Sequence, residues 1–211
     1  MSGDADWIDV SRRLPSGHPV WPGDTPFRLE PTSRLSEGAT VNLSRLSGTT
    51  HLGSHLDAPL HYDDQGAAIE SVPLTALIGP GVVVDVRSGQ GPIEAAELPA
   101  GALPGRVLLR TGQPDTWDAF PTRIRPLSAG AVARLAGAGV AVVGTDAPSV
   151  DDLDSSDLPA HHACGQAGLA IVEGLALEGA PTGPCDVMIL PLPLVGVDAA
   201  PVRAVLRPIR T

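Results

Sequence analysis

The sequence contains no lysine: all 14 of its basic residues are arginine. Without a side-chain amine there is no Schiff-base chemistry, and without the phosphate-binding lysine there is no P-loop. Cysteine is nearly as scarce. The only two, Cys164 and Cys185, make no disulfide framework and lie in no metal-binding spacing. Both read as small buried hydrophobes in a reducing compartment. Long apolar runs are missing as well, since Gly, Pro or charge interrupts each stretch well short of the about 20 residues a membrane span needs. The start, Met1 to Arg13, carries acids and an early Trp7 where an export leader needs a basic beginning and an apolar core. A cytoplasmic protein is therefore expected. Positive charge is in deficit too, 14 basic against 24 acidic residues for a net charge of −10. No basic cluster offsets it locally, so nucleic acid is not an expected partner.

What is present suits a globular enzyme. The chain has 211 residues, 43% of them hydrophobic and 18% charged, enough to bury a core within one domain spanning 1–211. Glycine (24) and proline (22) are spread throughout, as in a chain of short elements joined by tight turns, and there is no internal repeat. Four short apolar runs read as strands: 82–86, 106–110, 140–144 and 187–190. The segment 128–136 reads as a helix capped by Ser128, and its passage through Gly137 and Gly139 into the third run makes an α/β unit. The expected class is α/β with a mixed sheet.

Three of the six histidines fall in one stretch, His51-Leu52-Gly53-Ser54-His55-Leu56-Asp57-Ala58-Pro59-Leu60-His61. On a helix, at about 100° per residue, its polar positions would spread around roughly half the circumference. In an extended chain, positions 51, 55, 57 and 61 share one side, while Leu52, Ser54, Leu56, Ala58 and Leu60 occupy the other. Gly53 and Pro59 also disfavour a helix. An extended segment is expected, presenting three imidazoles and a carboxylate together, a set suited to zinc or a similar divalent ion. A lone histidine would more simply be an ordinary hydrogen-bonded residue; three with an aspartate on one side are not well explained that way.

A second cluster, Ala160-His161-His162-Ala163, precedes the apolar run that ends in Glu173-Gly174. A glutamate at a strand end is commonly solvated, but beside a metal site short of ligands Glu173 and His161 offer its second half. A third feature, Pro19-Val20-Trp21-Pro22-Gly23-Asp24-Thr25-Pro26-Phe27, holds one of three tryptophans on a proline-stiffened loop. Trp21 fits either stacking on a planar substrate or packing beneath its own loop.

At these residues the sequence resembles the cyclase/hydrolase family, whose signature H-x-G-[TAS]-H-x-D-x-P-x-H followed by an aromatic stands here as His51 to Tyr62. The stretches 21–27, 107–111, 146–151, 160–163 and 201–207 extend the likeness along nearly the whole chain, and most resemble the bacterial arylformamidases of that family. The resemblance implies a compact single domain of the swivelling β/β/α type, a mixed sheet or barrel with flanking helices, assembled as a homodimer. It implies two divalent metals, usually zinc, with His51 and His55 on one, His161 on the other, and Asp57 and Glu173 shared. It makes His61 the general acid/base and places Trp21 in the substrate pocket. The implied reaction is hydrolysis of N-formyl-L-kynurenine to L-kynurenine and formate, a step of tryptophan breakdown: metal-activated water attacks the formyl carbon and His61 protonates the leaving aniline nitrogen. Ser54 and Tyr62 replace residues more usual in the family, and the loop 154–159 differs from the formamidases. A sibling enzyme opening another amide, lactam or ester such as isatin would share the metals and differ in the pocket. A non-catalytic metal-binding protein would make His61 structural.

Overall fold

Each of the four apolar runs overlaps a strand of the computed structural model, which describes residues 6–209. The first five residues, part of the acidic start read above, lie outside it. The strands are β1 (Ile8–Asp9), β2 (Arg28–Ser33), β3 (Leu43–Ser47), β4 (His55–Asp57), β5 (Ile78–Asp85), β6 (Arg106–Arg110), β7 (Val142–Thr145), β8 (Ala170–Glu173), β9 (Gly183–Pro191) and β10 (Ala199–Pro208). Three helices accompany them: α1 (Leu74–Leu77), α2 (Ala129–Gly137) and α3 (Pro159–Ala167). Ser128 caps α2 as expected, its hydroxyl accepting the Ala131 N–H at 3.1 Å.

Seven strands close into a barrel in the order β10-β4-β8-β7-β6-β5-β9 and back to β10, with β1 added outside on β10. The neighbours β5, β6, β7 and β8 run parallel, and the remaining pairings are antiparallel. Parallel neighbours need crossovers; α2 lies between β6 and β7 in the chain, and α3 between β7 and β8.

Strand alternation divides the barrel wall into two faces. Val83, Leu108, Val142, Val172 and Leu56 join residues of β9 and β10 in one buried cluster that fills the interior. Val84, Val107, Leu109, Val143 and Ile171 point the other way and bury themselves with Val132 and Leu135 of α2 and Ala160 and Cys164 of α3. Both cysteines are buried and free.

The strand boundaries differ from the sequence reading where glycine and proline conceal pairing. β5 begins at Ile78 because Ile78 to Val83, including Gly79, Pro80 and Gly81, pair with β9. The segment 51–61 is not one extended strand. Only His55–Asp57 pairs; Gly53 turns the chain before it at φ 57°, and Pro59–His61 form a 3-10 turn after it. Outside the barrel, β2 and β3 form a separate antiparallel ribbon with Leu29, Leu43 and Leu46 exposed.

Candidate metal centre

Leu56 points into the barrel, so its neighbours His55 and Asp57 share the outer face of β4. There β4 pairs with β8, and the register sets His55 opposite Glu173 and Asp57 opposite Ile171. Helix α3 covers this face and contributes His161. His51 arrives through the Gly53 turn. Gly53 and Gly174, both in the left-handed region, meet back to back: a Cβ on Gly174 would lie 2.1 Å from the Gly53 carbonyl oxygen. Only glycine permits that approach. Ser54 fastens the same junction, its hydroxyl donating to Gly174 O at 2.7 Å while accepting the Arg12 N–H at 2.8 Å.

Five side chains read from the sequence converge here. His51 Nδ1 lies 3.1 Å and His55 Nε2 3.4 Å from Asp57 Oδ1. His161 Nε2 lies 3.5 Å from Asp57 Oδ2 and 3.5 Å from Glu173 Oε1, and His55 Nε2 is 3.4 Å from Glu173 Oε2. On its far side each imidazole meets an acceptor: Asp198 Oδ2 at 2.9 Å from His51 Nε2, Gly53 O at 3.1 Å from His55 Nδ1, and Asp151 Oδ2 at 2.8 Å from His161 Nδ1. In the neutral form of each ring, donating outward leaves the inward nitrogen as the lone pair.

Those inward atoms are stranded. Both Asp57 oxygens, His55 Nε2 and His161 Nε2 are buried without a hydrogen-bond partner among the described residues. Leaving a carboxylate in that condition costs several kcal/mol. Divalent cations between these atoms would satisfy all of them, and His₂Asp and His-Asp-Glu donor sets suit zinc-like ions. Two groups of side chains that could hold a metal, His51–His55–Asp57 and Asp57–His161–Glu173, share Asp57, and a third joins His51 to His61 and Asp198.

The electrostatics agree with a site built to hold positive charge. Burial disfavours a charged His51, but Asp57 and Asp198 override it and hold the metal-free imidazolium up to about 9. At His161, burial is likewise outweighed by Asp151, Asp57 and Glu173, raising it to about 10. Burial works against the Asp57 carboxylate too, yet the surrounding histidines hold it well below the usual range.

His61 belongs to neither of the groups that contain Asp57. Its ring packs 4.0 Å from that of His51 and 5.6 Å from that of His161, centroid to centroid, with its side chain 30% exposed at the cavity. Burial lowers its pKa, and repulsion from His51 and His161 adds to this against the pull of Asp57 and Glu173. It is therefore a neutral imidazole at neutral pH, open to exchange with a ligand. His162 turns toward Tyr62 instead. Burial, with Asp151 and Glu173 nearby, pushes the Cys164 thiol up to about 12, which leaves it protonated and unreactive.

A cavity of about 420 Å³ opens onto the cluster. Trp21 lines it, 36% exposed, and meets Phe120 edge-on at 5.3 Å; Phe120 in turn meets Trp117 at 5.9 Å. Arg12 lies 3.8 Å over the other ring system, Trp117, with its guanidinium otherwise bound to backbone carbonyls. Trp117, Phe120, Asp151 and Asp198 were not singled out as site residues by the sequence. The two aromatics lie in a stretch without periodicity, and the two acids lie on loops, Asp151 between β7 and α3 and Asp198 just before β10.

Residues 8–152 match the family described as "Putative cyclase". A kynurenine formamidase of Salinibacter ruber is 45% identical over 206 residues, covering 95% of this chain and 96% of the relative. One from Erythrobacter litoralis is 43% identical, covering 94% and 92%. Among solved structures, a potential metal-dependent hydrolase with cyclase activity superposes with a TM-score of 0.82 at 29% identity, covering 98% of this chain and 99% of that one. Isatin hydrolase A of Labrenzia aggregata has the same fold, with a TM-score of 0.85 at 22% identity and coverage of 97% and 94%.

Proposed function

The chain belongs to the cyclase family, and we propose that it is a metal-dependent arylformamidase that hydrolyses N-formyl-L-kynurenine to L-kynurenine and formate. The reading assigns two divalent ions, zinc in preference, to His51, His55 and Asp57 on one side and Asp57, His161 and Glu173 on the other. Bound there, the ions supply Lewis-acid activation of water and of the formyl oxygen. One observation carries the reading: stranded inward-facing ligand atoms lie at the end of a cavity walled by aromatic rings. Full-length relatives that bear the formamidase name support the choice of substrate.

The protein's own groups divide the remaining work. Trp21 and Phe120, backed by the buried Trp117, offer ring faces and edges to an aromatic substrate, holding its formyl group toward the cluster. An aniline nitrogen leaves poorly as an anion, so it must gain a proton as the C–N bond breaks. His61, beside the cluster and outside both ligand groups, takes a proton from the attacking water and returns it to that nitrogen. The exposed leucines of the β2–β3 ribbon support assembly as a homodimer, and we place the enzyme in the cytoplasm.

Turnover separates this reading from its siblings. Zinc-loaded protein is mixed with N-formyl-L-kynurenine and, in parallel, with isatin, and the absorbance of each product is followed. Kynurenine formation at the higher kcat/KM is expected. Faster opening of isatin assigns the site to a sibling activity, and no turnover of either with metal bound makes His61 structural.

A further inference from the structure

Asp198 has no role in the reaction as described, yet it touches two of its parts. It sits immediately before β10, and its backbone carbonyl accepts the Ala58 N–H at 2.8 Å, which ties it to the end of β4. Its Oδ1 accepts the Thr50 hydroxyl at 3.0 Å, one residue before His51. Oδ2 faces both histidines, 2.9 Å from His51 Nε2 and 3.6 Å from His61 Nδ1. We propose that Asp198 is a positioning residue that orients the ligand His51 and the proton carrier His61 through one carboxylate oxygen.

The geometry has a direct chemical meaning. Accepting the His51 Nε2–H leaves the lone pair of Nδ1 directed at Asp57 and strengthens it as a donor to a metal. A small rotation of the His61 imidazole brings its Nδ1–H onto the same oxygen, leaving Nε2 to exchange the proton with substrate. His51 and His61, whose side chains are partly exposed, need such an anchor more than His55 and His161, which their surroundings enclose. Asp198 with His51 and His61 also forms a third set of atoms close enough to hold a cation, and the test separates that possibility.

The inference rests on the metal reading, so the test reads zinc binding apart from turnover. Zinc stoichiometry and affinity are measured by competition with a chelator for the unaltered protein, Asp198→Ala and Asp198→Asn. The kcat and KM for N-formyl-L-kynurenine are then measured at saturating zinc. In Asp198→Ala one zinc is expected to bind about 10–100-fold more weakly at unchanged stoichiometry. Its kcat is expected to fall at saturating zinc while KM stays within about twofold. Asp198→Asn, which keeps the shape and an acceptor, should lie between Asp198→Ala and the unaltered protein in both. Zinc affinity and kcat equal to those of the unaltered protein in either variant overturn the inference. So does a reduced number of zinc ions, which would make Asp198 a ligand. An unaltered protein that binds no zinc overturns the metal reading itself.

Discussion

His55 and Glu173 face each other across the β4–β8 pairing, with His55 Nε2 3.4 Å from Glu173 Oε2. Strand register, not loop placement, therefore joins the first ligand segment to the second. A slip of one residue would turn His55 and Asp57 into the barrel and Leu56 out of it. The site and the core thus specify the same register.

Asp57→Ala is expected to lose metal and activity together, because Asp57 is shared by both ligand groups and its removal leaves two cations with no carboxylate between them. His61→Ala is expected to retain metal and lose about 10²–10⁴-fold in turnover. Elemental analysis beside kcat checks both, and metal lost from His61→Ala in step with activity would make His61 a ligand.

Metal binding should release protons. In the metal-free protein His51 and His161 titrate at about 9 and about 10, above the ordinary 6.5. Their protonated forms therefore stabilise the metal-free fold fully below pH 6.5, and that contribution is lost as pH rises through 9 and 10. Zinc needs both rings neutral, so its binding at pH 7 displaces one proton from each and tightens as pH rises. Calorimetry in buffers of different ionisation enthalpy should show this release, and a buffer-independent heat would refute it.

Gly174→Ala should damage the site from outside the ligand set. The backbone at φ 66° alone costs a residue with a Cβ about 1–3 kcal/mol, and the new atom would also strike the Gly53 carbonyl. Lower stability in urea together with weaker zinc binding is expected. Zinc affinity unchanged in a folded variant would show that the Gly53 turn can move without carrying His51 away.

The two tryptophans of the cavity should respond differently. Trp21 is 36% exposed, so Trp21→Ala should leave unfolding nearly unchanged and lower kcat/KM more for N-formyl-L-kynurenine than for a small aliphatic formamide. Trp117 is buried beneath Arg12 and beside His18. Trp117→Ala should destabilise the fold by about 3–5 kcal/mol. Equal loss on both substrates in Trp21→Ala would make that indole scaffold instead of a substrate contact.

The cluster of histidines and acids was legible because imidazole and carboxylate at short spacing have few other uses in a chain with six histidines. The helix at Ser128 and the four strand centres were legible from capping and apolar runs. The barrel was implied only by the family resemblance and not by the residue pattern, since closure depends on β9 and β10 pairing with each other and with distant strands. The alternation argument gathered residues that the fold also brings together, although the extended segment it assumed is short. His55 and Asp57 share a strand face, whereas His51 and His61 reach the cluster through the Gly53 turn and the 3-10 turn. Asp198 and Asp151 carry no local signal, because each acts on a histidine brought to it by folding.

Because β4 is held between β8 and the beginning of β10, His55 and Asp57 lack one of their two strand neighbours until the last strand of the chain has been made. Their flanks are completed only when Ala199 to Pro201 have left the ribosome. A nascent chain therefore carries His51, His55 and Asp57 long before both flanks of β4 can hold them in place. On the proposed metal reading, the site would be completed by barrel closure instead of guiding it.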